Sequence, residues 1–141
     1  MSHALVAAIL VGHGFITSMI GFGAVTSPNA PAIALPSWFA WWPGPFGRSW
    51  AFDALSLGAG AQIVGGLVWL AGGLMIIAGG LGWFGMSLFE GPRVTLLVTG
   101  AALSLVAMAL YFHPIYLAAV MISLAIVIVL WGDFVTARGA S

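Results

Sequence analysis

Residues 57–82 read LGAGAQIVGGLVWLAGGLMIIAGGLG, and the architecture follows from them. The stretch carries no formal charge and exceeds the ~20 apolar residues that take a helix across a bilayer. Its glycines are periodic. Gly58, Gly65, Gly72 and Gly79 recur every seven residues, and Gly66, Gly73 and Gly80 repeat the interval one step on. Seven residues make two turns at about 3.5 residues per turn, so each set lines a stripe down the helix. Lipid tails are as apolar as leucine, so helices in a bilayer associate through close backbone approach, which small residues permit. The stripe therefore reads as a tight seam, a glycine zipper, between the first and second spans. The alternative is a groove for a flat or extended ligand such as a carotenoid, a quinone or a lipid tail. Trp69 and Gln62 share the glycine face by spacing.

Three further stretches have the same character. Residues 4–25, 94–112 and 114–132 are long, apolar and uncharged. The first has no basic n-region and is longer than the apolar core of a signal peptide, so it reads as an uncleaved span. It carries a fainter echo of the small-residue period in Ala7, Gly14 and Gly21. The last two spans are separated by a turn at His113-Pro114, with proline acceptable at a first helical position. Glu90-Gly91-Pro92-Arg93 separates the second span from the third, and Ser87 and Glu90 have capping-box spacing. The expected fold is all-α, one transmembrane domain of four helices over residues 1–141.

Composition agrees with this. Hydrophobic residues make up 62% of the chain and charged residues 4%, where a soluble domain is about a quarter charged. The six charges fall into three acid–base clusters: Arg48 with Asp53, Glu90 with Arg93, and Asp133 with Arg138. All lie outside the spans, as expected when a charge at mid-bilayer costs roughly 2.5–3.5 kcal/mol. The absence of cysteine excludes disulfides, zinc thiolates and cysteine-held iron–sulfur clusters. Zero net charge gives no reason to expect nucleic acid as a partner.

The connection over residues 26–56 is long and holds Pro28, Pro31, Pro36, Pro43 and Pro45. It is also densely aromatic, with Trp38, Trp41, Trp42 and Trp50. Tryptophan favours the membrane interface, where an apolar ring and a polar N–H are both satisfied. These residues read as an interfacial anchor or as a docking surface for a partner protein. Arginine placement favours cytoplasmic termini in a bacterial inner membrane, since Arg93 and Arg138 share the side of the termini and Arg48 lies opposite.

Chemistry-bearing residues are few. His3, His13 and His113 are placed at three depths, which no single metal ion could gather. His13 falls near the middle of the first span beside Gly14. It is a candidate axial ligand for haem or (bacterio)chlorophyll; otherwise it hydrogen-bonds Thr17 or a carbonyl of a neighbouring helix. Residues 12–22, with the layout of Leu97 to Trp131, resemble small four-helix bacterial membrane proteins of DoxX-like shape. Some of those carry a second histidine near the position of Thr17, which is missing here. The resemblance implies a fold and no activity.

Three functional expectations follow. The first is a non-catalytic accessory subunit of a larger membrane complex in respiratory or photosynthetic electron transport, with lipid and other integral subunits as its partners. The second is a cofactor-binding module for haem, bacteriochlorophyll, carotenoid or quinone, using His13 and the glycine groove. The third is a small transporter or channel, which the scarcity of intramembrane polar groups disfavours. The four-span reading predicts that the protein stays with the membrane pellet after alkaline carbonate extraction. Release into the aqueous supernatant as a folded species would overturn it.

Overall fold

Ser2 opens the first helix, its hydroxyl accepting the Leu5 N–H at 3.3 Å. Helix α1 then runs His3–Thr26 and stops short of Pro28, which disfavours helical geometry in the residue before it. The computed structural model describes residues 2–30, 37–39, 41–42 and 46–139, apart from the side chains of 137 and 138. Pro31, Pro36, Pro43 and Pro45 therefore lie outside the described residues.

Helix α2 (Trp50–Ala54) is one short turn capped by Ser49, whose hydroxyl accepts the Phe52 N–H at 3.2 Å. Helix α3 (Gly58–Trp83) contains the glycine rows. It ends in a Schellman turn: Gly85 sits at φ 90°, its N–H reaches the Gly82 carbonyl, and the Met86 N–H reaches that of Leu81. Glycine takes that left-handed position without a Cβ clash. Helix α4 (Ser87–Glu90) is another single turn. The expected capping box is absent there, because Met86 is the N-cap and no side chain closes it. Helix α5 (Arg93–Leu110) follows, then a 3-10 turn at Pro114–Tyr116, then α6 (Leu117–Gly139).

Among the described residues four segments are long and apolar enough to cross a membrane: His3–Thr26, Gly58–Trp83, Arg93–Leu110 and Pro114–Thr136. This is the all-α four-helix architecture of an integral membrane protein. The third helix ends at Leu110, earlier than the expected residue 112. Phe112 leaves it to stack on Trp42 of the loop, ring centroids 5.0 Å apart.

α3 is the central element, packed along α1 on one side and α5 on the other, while α6 packs on α5. The two glycine rows serve different neighbours. Toward α1, a Cβ on Gly66 would lie 2.9 Å from the Ala24 Cβ, and one on Gly80 would lie 2.9 Å from Val11. Gly73 meets Ser18 and Gly14 even more tightly. Toward α5, Cβ atoms on Gly65, Gly72 and Gly79 would lie 2.6–2.7 Å from Tyr111, Ser104 and Leu97. Neighbouring backbone and side chains fill both rows, leaving no room there for a ligand. The expected single seam is thus two seams, one on each side of α3. Gly58 belongs to neither: it opens the helix at φ 66° with nothing within 4 Å of an added Cβ.

α1 and α6, at the two ends of this row, barely touch. Gly12 of α1 lies on that open side and has nothing within 4 Å of an added Cβ. Overpacking a tight helix seam costs about 1–3 kcal/mol. Gly73→Leu and Gly72→Leu are therefore expected to lower the melting temperature in detergent sharply, and Gly12→Leu to leave it close to wild type, its stability changed by no more than about 0.5 kcal/mol. Circular dichroism melts of the three variants check this, and equal losses at all three positions would contradict the two-seam packing.

Candidate functional site

The long connection returns to the bundle through polar bonds that its own residues supply. The Ser49 N–H donates to Gln62 Oε1 at 3.1 Å, and the Ser49 hydroxyl donates to the Leu110 carbonyl at 2.7 Å. Trp50 Nε1–H donates to the Ala109 carbonyl at 3.1 Å. Gln62 Nε2 reaches Asp53 Oδ1 at 3.3 Å, and Arg48 pairs with the same oxygen at 2.7 Å. That bond to Asp53 raises the Arg48 pKa above its ordinary value. Tyr111 completes the set by donating to the Gln62 carbonyl at 2.8 Å. These bonds satisfy carbonyls at the C-terminal end of α5 that have no partner within the helix. They clamp residues 48–53 onto α3 and α5.

Aromatic rings cover the same end. His113 is 2% exposed, beneath Phe39 and Phe46 at centroid distances of 5.3 and 5.6 Å. It is the N-cap of the 3-10 turn, and the loop rings cover it. Its Nδ1 accepts the Ile115 N–H at 3.3 Å, and burial lowers its pKa. The loop tryptophans divide into two kinds. Trp42 and Trp50 contact the bundle, Trp50 while still 46% exposed, whereas Trp38 and Trp41 are 73% and 68% exposed.

Between α1 and α6 the bundle stays open as a groove of about 530 Å³. Along α1 it runs from Ile9 to Ile20, roughly 16 Å at 1.5 Å per residue. Ile115, Ala118, Ala119 and Ile122 line the facing wall, and Trp69 and Met108 line its inner side. A second chamber of about 250 Å³ adjoins it toward the loop, sharing Ile20, Phe46 and Tyr116 and adding Ala24, Ser27 and Gly47. Among the described residues no charged side chain lines either chamber.

His13 lines the groove, and its Nε2 shares a 3.0 Å hydrogen bond with the hydroxyl of Ser123 on α6. Thr17 does not meet the ring; its hydroxyl donates to the His13 backbone carbonyl at 2.8 Å. Axial ligation through Nε2 would require breaking the bond to Ser123. Trp69 is 1% exposed and packs against Tyr111 and Tyr116, both at 5.2 Å. Among the described residues no group of three His, Cys, Asp or Glu could hold a metal ion.

No family model matches the chain, and neither a curated protein nor a solved structure matches it.

At the opposite end Glu90 and Arg93 lie 3.7 Å apart, and the Arg93 guanidinium stands 5.7 Å from the Trp83 ring centre. The side chain of Arg138 lies outside the described residues. Ser123 and Ser49 drew no attention in the sequence. Their only cue is that each is a lone serine beside an apolar stretch, which does not identify a partner 110 or 13 residues away.

Two predictions follow. In a cycle of His13→Ala, Ser123→Ala and the double variant, the coupling is expected near 0.6 kcal/mol and at most about 1.7; chemical unfolding in mixed micelles measures it. His113 contributes stability that is complete above about pH 6.5. It is lost as pH falls, because the unfolded chain then binds the proton more readily than the buried ring. The melting temperature is expected to drop between pH 7 and pH 5, and less steeply in His113→Gln.

Proposed function

We propose that this chain is a non-catalytic membrane subunit whose working part is the groove between α1 and α6, and that the groove holds a lipophile. One observation carries the reading: the two end helices of the row stay apart, and the space between them is large, apolar and open sideways. Ligand pockets are commonly 300–1,000 Å³, mostly apolar, with a few polar groups that fix orientation. The larger chamber fits that description, with about 530 Å³ and His13, Thr17, Trp69 and Tyr116 as its polar members. Ile9, Ile16 and Ile115 on its rim are 43%, 62% and 43% exposed, so a molecule dissolved in the bilayer could enter without crossing water. Quinone, carotenoid or lipid tail suits this shape better than haem or bacteriochlorophyll bound through His13, whose Nε2 is engaged by Ser123. A quinone in the groove would suit a subunit that sits beside a respiratory or photosynthetic electron-transport complex, and the arginine placement supports cytoplasmic termini in a bacterial inner membrane.

Trp38 and Trp41 favour a second role in the same subunit. Their exposure, beyond loop residues that are clamped to the bundle, supports docking of a neighbouring protein subunit on that face.

The test is purification from native membranes in mild detergent, followed by solvent extraction and mass spectrometry. A lipophile is expected at near-stoichiometric amount with the wild type. It should fall at least tenfold in Gly12→Phe, a position on the groove wall where a side chain has room. Equal recovery from both proteins would sink the proposal.

A further inference from the structure

Two residues of the groove wall carry buried hydrogen-bond donors that have no partner among the described residues. Trp69 Nε1 and the Tyr116 hydroxyl are both buried and unbonded, on residues 1% and 4% exposed. Their rings contact each other edge to face with centroids 5.2 Å apart. Both residues line the larger chamber, and Tyr116 lines the smaller one as well. The Gly47 backbone lies close enough to the Tyr116 oxygen to be felt by it, but no hydrogen bond of good geometry forms. An indole N–H can only donate, and a phenol with no acceptor in reach is in the same position. Buried donors left unpaired are uncommon in folded proteins and call for a partner.

The surroundings restrict what that partner can be. Among the described residues no lysine or arginine lines either chamber. The nearby Arg48 is committed to Asp53 at 2.7 Å. A carboxylate or phosphate carried into this wall would lose its hydration with no cation to replace it. The head that fits is neutral and supplies an oxygen acceptor.

The position of the donors sets the rest of the molecule. Ser123 faces His13, and Tyr116 and Ile20 border the same chambers, so Tyr116 stands about 10 Å nearer the loop than the His13–Ser123 pair. From Ile20 down to Ile9 the groove runs roughly 16 Å, close to the depth of one leaflet of a ~30 Å hydrocarbon core. We infer that the groove takes a neutral carbonyl-bearing lipophile with a single aliphatic chain. Its carbonyl accepts from Trp69 and Tyr116 near the loop-side end, and its chain lies along α1 and α6 past His13. A prenyl-type quinone and a neutral fatty ester share this chemistry. The inference rests on the lipophile-binding reading above and specifies its ligand.

The experiment uses the whole protein in mild detergent with four probes of defined chemistry: a decyl-substituted benzoquinone, methyl palmitate, palmitate and hexadecane. Binding is followed by native mass spectrometry in wild type, Trp69→Phe, Tyr116→Phe and Gly12→Phe. Tyr116→Phe keeps the ring and removes only an unpartnered donor, so its melting temperature without probe is expected to match or exceed wild type. Trp69→Phe also trims a fully buried ring, so its melting temperature without probe is expected to fall, and its probe affinities are compared with those for hexadecane in the same variant. The quinone or the ester should bind wild type at least fivefold more tightly than hexadecane and palmitate do. That advantage should fall about threefold or more in each ring variant, and Gly12→Phe should weaken every probe. Whichever of the two carbonyl probes binds tightly identifies the source, and either supports the inference. Four probes that bind alike, with no response to the ring variants, overturn the carbonyl assignment while leaving the groove as a lipophile site. Absence of binding by all four overturns both readings.

Discussion

The structure depends on how closely α3 lets other backbones approach. In a bilayer no water is released when helices meet, so association relies on van der Waals contact over a close interface. Glycines on two adjacent stripes give α3 two such interfaces, one with α1 at Gly14, Gly66, Gly73 and Gly80, the other with α5 at Gly72, Gly79 and Gly100. α3 is therefore held on both flanks, and the order of the other helices around it is set by which stripe each one uses.

The same arrangement explains why a groove exists. α6 packs on α5 and α1 packs on α3, so nothing draws α1 and α6 into backbone contact along their length. Isoleucines of both helices line the space between them, and the His13–Ser123 bond joins them at one level. The loop adds an end wall through Phe46, which stacks on Tyr116 at 5.5 Å and borders both chambers. Its polar clamp, by contrast, grips only α3 and α5, through Gln62, Ala109 and Leu110.

The helices were legible in the sequence because their signal is additive. Each span sums many apolar residues, and the breaks at Pro28, Gly91-Pro92 and Pro114 are local. The glycine period was legible for the same reason, but its two stripes were read as one seam. A stripe gives the direction of a face and not the identity of the helix that meets it. The site was less legible. His13 and Trp69 stood out as polar or bulky residues in mid-span. Their actual partners, Ser123 and Tyr116, are distant in sequence, and pairing across helices is a property of the packed bundle. The clamp at Ser49 was hidden likewise, since a single serine before a short helix carries only its cap signal.

The α1–α3 seam also bears on biogenesis. These two helices are separated by the long aromatic connection, so α1 must enter the bilayer well before its main partner has been synthesised. At about 5–20 residues per second, the chain from Thr26 to Trp83 takes about 3–11 s to emerge. During that interval Gly14 and Gly21 present bare backbone to lipid or to the insertion machinery. α1 thus waits for the helix it packs on, whereas α6 follows α5 and meets its neighbour as it is made.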